Sequence, residues 1–347
     1  MLSNLKNGLL IKAIEPICPS LHLAVESYIL NQNLEKTFGF IRTNKKAVVI
    51  GFNQLAKSEC HLEKMKNDNI TLIKRFSGGG AVYLDDGNCM FGYIKKGNFD
   101  NTKKEYENML ISAINKTFGI NAEAKGKNDI LVDGKKIVGS AFKLHKENTL
   151  CHSCILVDCD MCGLQKYLSP NKLKLLSHHV SSIDKRVINL KSFDNTKTRV
   201  DLENEIENQF RKFTHYNEET LYVTEQLLLE NNEIYEISKN IKNLSEKATK
   251  ENISNYSYKV QNKFNWGFCE IYVLIENNAI KDLIISTDCI DVDLPENLKK
   301  FLIGKTVCDL FSMVNTDYEQ KTSNVLFLLK SVLLDLYFDI VFKQYYY

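Results

Sequence analysis

Apolar positions along this chain recur with two periods, and the alternation between them divides the sequence into short elements. Residues 9–15 form an apolar run closed by Pro16 and Pro19, which predicts a first strand, and Ser20 can then cap a helix to about Asn33. Residues 38–43 and 47–51 read as short strands, and Leu55, Leu62 and Met65 return at roughly helical spacing over 55–67. Two further apolar runs, 70–73 and 81–84, flank three consecutive glycines and predict strand, bare turn, strand; 89–94 adds another strand. The clearest amphipathic helix is 101–118, where Tyr106, Leu110, Ile114 and Phe118 recur every four residues and Gly119 stands at the end. Asp133-Gly134 predicts a hairpin between 130–132 and 136–144, followed by a strand over 149–157 and a helix over 200–214.

Beyond these elements the pattern weakens, and the polar stretch 240–255 reads as a linker. Residues 267–275 and 279–286 then predict two strands joined by Glu276-Asn277-Asn278, followed by helices over 295–302 and 322–343. The pattern is therefore α+β, with a large domain over residues 1–245 and a small α+β domain over 254–347. The last helix holds an apolar run, 325–329, but Lys330, Asp335 and Asp339 interrupt it. Each such charge costs about 2.5–3.5 kcal/mol at a bilayer centre, which argues against a membrane span.

Composition narrows the classes further. A chain of 347 residues suits two domains with ample apolar content for packed cores. The net charge of +2 supplies no global field toward nucleic acid or membrane, and no basic, aromatic-studded face is visible. Of 45 basic residues only Arg42, Arg75, Arg186, Arg199 and Arg211 are arginine, so an arginine inside a motif carries more information than a lysine. Ten cysteines with no secretory h-region or transit-type leader fit free thiols in a reducing cytoplasm.

The candidate chemistry centres on residues 74–88, Lys-Arg-Phe-Ser-Gly-Gly-Gly-Ala-Val-Tyr-Leu-Asp-Asp-Gly-Asn. Gly78, Gly79 and Gly80 lack Cβ atoms, so a ligand can touch the main chain and backbone N–H groups can converge on an anion. Arg75 beside them is a permanent cation suited to phosphate or carboxylate. A plain flexible turn is the alternative. A second candidate is Cys151, Cys154, Cys159 and Cys162 with His152 among them. The four-residue gap between the two Cys-x-x-Cys pairs is far below the roughly 15–20 of a zinc ribbon, and a strand places Cys151 and Cys154 on opposite faces.

Arg-x-Ser-Gly-Gly-Gly-Ala-Val-Tyr followed by Asp-x-Gly-Asn closely resembles the lipoate-protein ligase A family. Lys125-Gly126-Lys127-Asn128-Asp129-Ile130 is similar to that family's Gly-Arg-Asn-Asp segment, and 133–141 to its lysine-bearing strand. The resemblance runs from Leu23-Ala24-Val25-Glu26 to about Asn189-Leu190, and more weakly over the last hundred residues, where Phe264-Asn265-Trp266-Gly267 through Glu270 resembles the entry into the family's C-terminal domain. Three departures stand out: Leu84 replaces a usual histidine, Cys151-His152-Ser153-Cys154 replaces His-His-Gly-Thr, and Trp266 is the only tryptophan.

The resemblance implies a biotin/lipoate ligase-like fold: a large mixed-sheet catalytic domain and a small accessory domain. It implies ATP-dependent activation of lipoate, or octanoate, as the acyl-adenylate and transfer to a lysine of a lipoyl domain of a 2-oxoacid dehydrogenase E2 subunit or of glycine cleavage H protein. Lys136 matches the catalytic lysine that contacts the acyl carboxylate and the phosphate. Arg75, Gly80, Ala81, Val82, Tyr83, Asp129 and Lys136 match ATP-binding positions, with Asp129 also a candidate Mg²⁺ ligand. Ser77, Gly78, Gly79, Lys136, Gly139, Ser140 and His152 match lipoate-binding positions. Alternation puts Lys135 and Lys136 on opposite faces of their strand. An acyltransferase using a preformed donor, or a non-catalytic lipoyl-adenylate-binding module, are the other readings of these residues.

Overall fold

The computed structural model describes residues 9–169, 186–277, 279–306, 309, 320–326 and 329. They fall into two units, one of Met1–Phe52 with Ala56–Thr249, the other of Asn53–Leu55 with Lys250–Tyr347. In the first unit the strands are β1 (Leu9–Ala13), β2 (Phe38–Arg42), β3 (Ala47–Ile50), β4 (Thr71–Lys74), β5 (Val82–Leu84), β6 (Asn88–Lys96), β7 (Glu123–Lys125), β8 (Asp129–Val132), β9 (Lys135–His145), β10 (Asn148–Leu156) and β11 (Leu221–Val223). Eight of them form one mixed sheet in the order β11-β1-β2-β6-β10-β9-β8-β7; β1 runs parallel to both neighbours and the remaining pairs are antiparallel.

β3, β4 and β5 form a separate small sheet with β3 in the middle, parallel to β4 and antiparallel to β5. The expected hairpin across the glycines is thereby corrected. Both apolar runs pair with the wholly buried Ala-Val-Val-Ile of β3, so the glycine segment crosses over a strand and spans two strand spacings, roughly 10 Å.

The helices of this unit are α1 (Pro19–Leu30), α2 (Ala56–Glu59), α3 (Leu62–Asn67), α4 (Phe99–Phe118), α5 (Met161–Tyr167), α6 (Arg199–Thr214), α7 (Glu225–Leu229) and α8 (Asn232–Lys250). Pro19, not Ser20, opens α1, with its fixed φ preset for the first turn; the Ser20 hydroxyl instead meets Ser238 of α8 at 3.0 Å. The single helix expected over 55–67 is two, interrupted where Cys60 bridges Leu168 and the His61 amide donates to the Tyr167 carbonyl. α4 is capped by Asn98 and ends at left-handed Gly119. α6 carries a Thr198–Asp201 capping box. Between α4, α6 and β6 lies an aromatic cluster of Phe91, Tyr93, Tyr106 and Phe210.

α8 overturns the expected linker. Ile234, Ser238, Ile241, Ser245 and Ala248 are all buried along one face, and Ser245 Oγ accepts from the Lys74 amide at 2.8 Å. Two serines in the buried stripe mask its helical periodicity.

The second unit has β12 (Tyr258–Phe264), β13 (Gly267–Glu276) and β14 (Ala279–Thr287) in an antiparallel sheet in that order, with α9 (Leu294–Leu302). Its core gathers Trp266, Ile271, Val273, Leu283, Leu294, Leu298 and Val325. Most of the helix expected over 322–343, and Asn278 of the expected strand connection, lie outside the described residues. Among the described residues no helix is long and apolar enough to cross a membrane.

α1 is buried nearly all round, so its polar side chains must be paired internally. Glu26 takes Arg42 Nη2 at 2.5 Å, and His22 Nδ1 meets Asn44 Oδ1 at 2.5 Å. Burial, reinforced by Arg42, brings the His22 imidazole down to about 3. Below about pH 6.5 the unfolded chain therefore takes up a proton that the folded chain refuses, and stability falls as pH drops from there toward 3. His22→Gln removes this titration. Thermal unfolding followed against pH should show a shallower acid limb for the variant than for the wild type; equal slopes would clear His22 of the effect.

Candidate active site

The site grows from one face of β9 and β10. Pairing of His152 with Ala141 and of Asp129 with Gly139 puts Asp129, Gly139, Ala141 and His152 on that face, while Ser140 pairs with Ser153 on the other. β9 has one irregularity near its start, opposite Ile130 and Leu131. From there the Lys136 side chain lies across Gly139, where an added Cβ would come within 2.9 Å of its Cε and Nζ. The Lys136 ammonium stands 2.6 Å from Asp129 Oδ1, whereas Lys135 is exposed.

The glycine turn lies on this same face. A Cβ built on Gly79 would be 3.6 Å from Ala141 Cβ, Ser77 Oγ meets His152 Nε2 at 2.8 Å, and Lys143 Nζ donates to the Phe76 carbonyl at 3.0 Å. Gly79 has φ 91° and packs tightly: its carbonyl would lie 2.2 Å from a Cβ on Gly51. Gly80, by contrast, would carry a Cβ into open space.

Arg75 holds the turn from beneath. It is buried, and its guanidinium donates to the carbonyls of Gly78 at 2.7 and 3.1 Å and Gly80 at 2.8 Å, and to Ser77 Oγ at 3.1 Å. Burial draws its pKa down to about 10. Its Nε and Nη2 are engaged with the turn, and Nη1 lies 3.4 Å from the Val49 carbonyl of β3.

The Glu26 carboxylate can only accept, so His152 Nδ1 carries a proton toward Glu26 Oε2 at 2.7 Å, while Ser77 Oγ accepts from Arg75 and bonds His152 Nε2 on the other side of the ring. Glu26 then accepts from Arg42 at 2.5 Å. Burial by itself would raise the Glu26 carboxyl, but Arg42 first and His152 next outweigh it and bring it down to about 2.

Of the residues expected from sequence, the structure brings Ser77, Gly78, Gly79, Gly80, Lys136, Gly139, Asp129 and His152 together. It sets Ser140 apart, with its hydroxyl 2.7 Å from Ser153 and facing Tyr106 of α4. The Tyr83 side chain is also turned away, packed against Tyr167 in the core, because β5 pairing with β3 fixes its direction. Asp85 and Asn88, the polar ends of Asp-x-Gly-Asn, close their own turn through the amides of Gly87, Asp160 and Asp85.

Glu26, Arg42, Lys143 and Arg186 are site neighbours that the sequence reading passed over. Arg186 donates to Asp129 Oδ2 at 2.9 Å, and its rarity as an arginine was the available signal. Asp129 is held below the usual carboxylate range: burial would raise it, and Lys136 and Arg186 override burial. The nine described cysteines are free; Cys151 and Cys154 lie on opposite faces of β10, and among the described residues no three His, Cys, Asp or Glu side chains form a metal-sized cluster.

Residues 18–211 match the lipoyl protein ligase A/B catalytic domain family, and residues 253–309 the bacterial lipoate protein ligase C-terminus family. The chain is 32% identical over 298 residues to lipoate-protein ligase A of Blochmanniella floridana, covering 82% of this chain and 85% of the relative. It is 33% identical over 294 residues to the lipoate-protein ligase A of Bdellovibrio bacteriovorus, covering 83% and 85%. The crystal structure of Plasmodium falciparum LipL1 in complex with lipoate superposes with a TM-score of 0.76 at 27% identity, over 94% of this chain and 99% of that one. The chain belongs to the lipoate-protein ligase A family and is a ligase.

Proposed function

We propose that this ligase activates lipoate, or octanoate, with ATP and transfers the acyl group to a lysine on a lipoyl domain of a 2-oxoacid dehydrogenase E2 subunit or on glycine cleavage H protein, in the cytoplasm. The observation that carries the reading is the Lys136 ammonium laid over side-chain-free Gly139, on the face that the glycine turn covers. The lipoate held by the LipL1 structure supports the acyl assignment.

In the first half-reaction a carboxylate oxygen attacks the α-phosphorus; the C(O)O–P bond forms and the bond to the β-phosphate oxygen breaks, releasing pyrophosphate. Negative charge gathers on the phosphoryl oxygens, and the fixed ammonium of Lys136 stabilises it. The main chain of the turn from Gly78 to Ala81 and the start of β5 supply donors that need no particular side chain. In the second half-reaction the acceptor amine attacks the acyl carbonyl, the mixed anhydride C–O bond breaks, AMP leaves, and the amine loses a proton. His152 and Ser77 border the acyl side of the turn.

Asp129 offers one carboxylate, and both of its oxygens face cations. The residues present therefore do not fit a resident Mg²⁺, and no step here passes through one; an Mg²⁺ would come with the phosphates of ATP. The division into a catalytic domain over 1–245 and an accessory domain over 254–347 belongs to the same proposal, with the accessory domain assigned to activation. A transferase that takes a preformed acyl donor, or a binding module, would release no pyrophosphate from lipoate and ATP.

Lys136→Ala should lower lipoate-dependent ATP–pyrophosphate exchange by about a hundredfold or more, the scale of about 2.7–4 kcal/mol for one lost charge-stabilising group. Lys135→Ala should change it little, and equal losses would sink the assignment of Lys136. The two glycines separate binding from folding. Gly80→Val, which enters open space, should weaken lipoyl-adenylate binding while the melting temperature holds. Gly79→Val should lower both, because of its φ and its contact with Arg75. Normal binding by Gly80→Val, measured calorimetrically, would make the turn a structural feature only.

A further inference from the structure

Arg186 lies at the head of a short segment that runs beside β9. The Lys136 amide donates to the Arg186 carbonyl at 2.8 Å, and the Ile188 amide donates to the Lys136 carbonyl at 3.0 Å, so the backbone of the site lysine is clasped on both sides by this segment. The side chains then converge on one carboxylate. Arg186 Nη2 bonds Asp129 Oδ2 at 2.9 Å, and the Lys136 ammonium stands 2.6 Å from Oδ1. Oδ1 is buried, and the Lys136 ammonium is the cation that faces it.

Lys136 and Asp129 taken alone sum to zero charge, which is a poor arrangement for attracting a carboxylate and a polyphosphate. Arg186 brings the trio to +1, with the arginine on Oδ2 of Asp129 and the lysine on Oδ1. A guanidinium suits the first role because it cannot be deprotonated and its fork matches a carboxylate.

We propose that Arg186 is a positioning residue of the activation step: by occupying and neutralising Asp129 it leaves the Lys136 ammonium able to turn from its own partner to the anionic reactants. The inference rests on the reading of Lys136 given above. It assigns Asp129 the part of a parking site for Lys136, not that of a metal ligand.

The test is a double-mutant cycle of charge-removing substitutions, read by lipoate-dependent ATP–pyrophosphate exchange in the full-length protein, with kcat and KM separated. Arg186→Gln leaves Asp129 to cancel Lys136, so kcat should fall by about tenfold or more. The double variant Asp129→Asn with Arg186→Gln removes the competing carboxylate as well, and should recover most of the loss, to within a few-fold of Asp129→Asn alone. Arg186→Lys, which keeps the charge, should retain more activity than Arg186→Gln at matched thermal stability. A purely structural arginine predicts the opposite order, with the double variant no better than Arg186→Gln, and that result would overturn the proposal, as would wild-type exchange in Arg186→Gln. Absence of exchange in the wild-type protein itself would overturn the ligase mechanism and this proposal with it.

Discussion

One buried chain of hydrogen bonds ties the parts of the site to each other: Arg75 to Ser77, Ser77 to His152, His152 to Glu26, and Glu26 to Arg42. Its members come from the glycine turn, β10, α1 and β2, elements far apart in sequence. Both ends are arginines, which only donate, so Ser77 Oγ and the Glu26 carboxylate each accept from one of them, and His152 Nδ1 donates to Glu26. A line of this kind is costly to interrupt, since removing one partner of a buried ion pair leaves a bare charge, typically a loss of about 3–5 kcal/mol. The glycine turn is thus fastened to the interior by the same bonds that satisfy the charge of Glu26 on α1.

The sheet beneath it works because its two faces do different jobs. One packs Phe91 against Tyr106 and Phe142 against Phe99, both of α4, and the other gathers Asp129, Lys136, Lys143 and His152 under the turn. Glycines make the crowding feasible at two points. Gly139 leaves room for the Lys136 side chain, and Gly51 allows the Gly79 carbonyl to approach where any Cβ would collide.

The same two-faced design explains why departures from the family motif are tolerated. Cys151 and Ser153 stand on the helix-covered face of β10, where Ser153 takes a hydrogen bond from Tyr106 and lies against Ser140. His152, the position retained, is the one that faces the turn. Leu84 is fully buried in the core, so an apolar side chain suits its site.

The glycine turn could be read in sequence because its chemistry is local: consecutive glycines announce a bare backbone. Long periodic elements such as α4 were legible for the same reason. Lys136 was legible only through the motif it sits in, since on a regular strand residues 136 and 139 face opposite ways, and it is the irregularity near the start of β9 that lets its side chain lie across Gly139. Strand partnership was not, since apolar runs 70–73 and 81–84 look like a hairpin until β3 enters between them, and pairing is decided by which buried strand is available. Nor was α8, whose buried stripe includes serines whose partners outside the helix are Ser20 and the Lys74 amide. The roles of Arg75, Glu26 and Arg186 likewise wait for the fold. A charge in a sequence has a sign, but whether it meets a ligand, a carbonyl or another charge depends on which groups burial leaves without water.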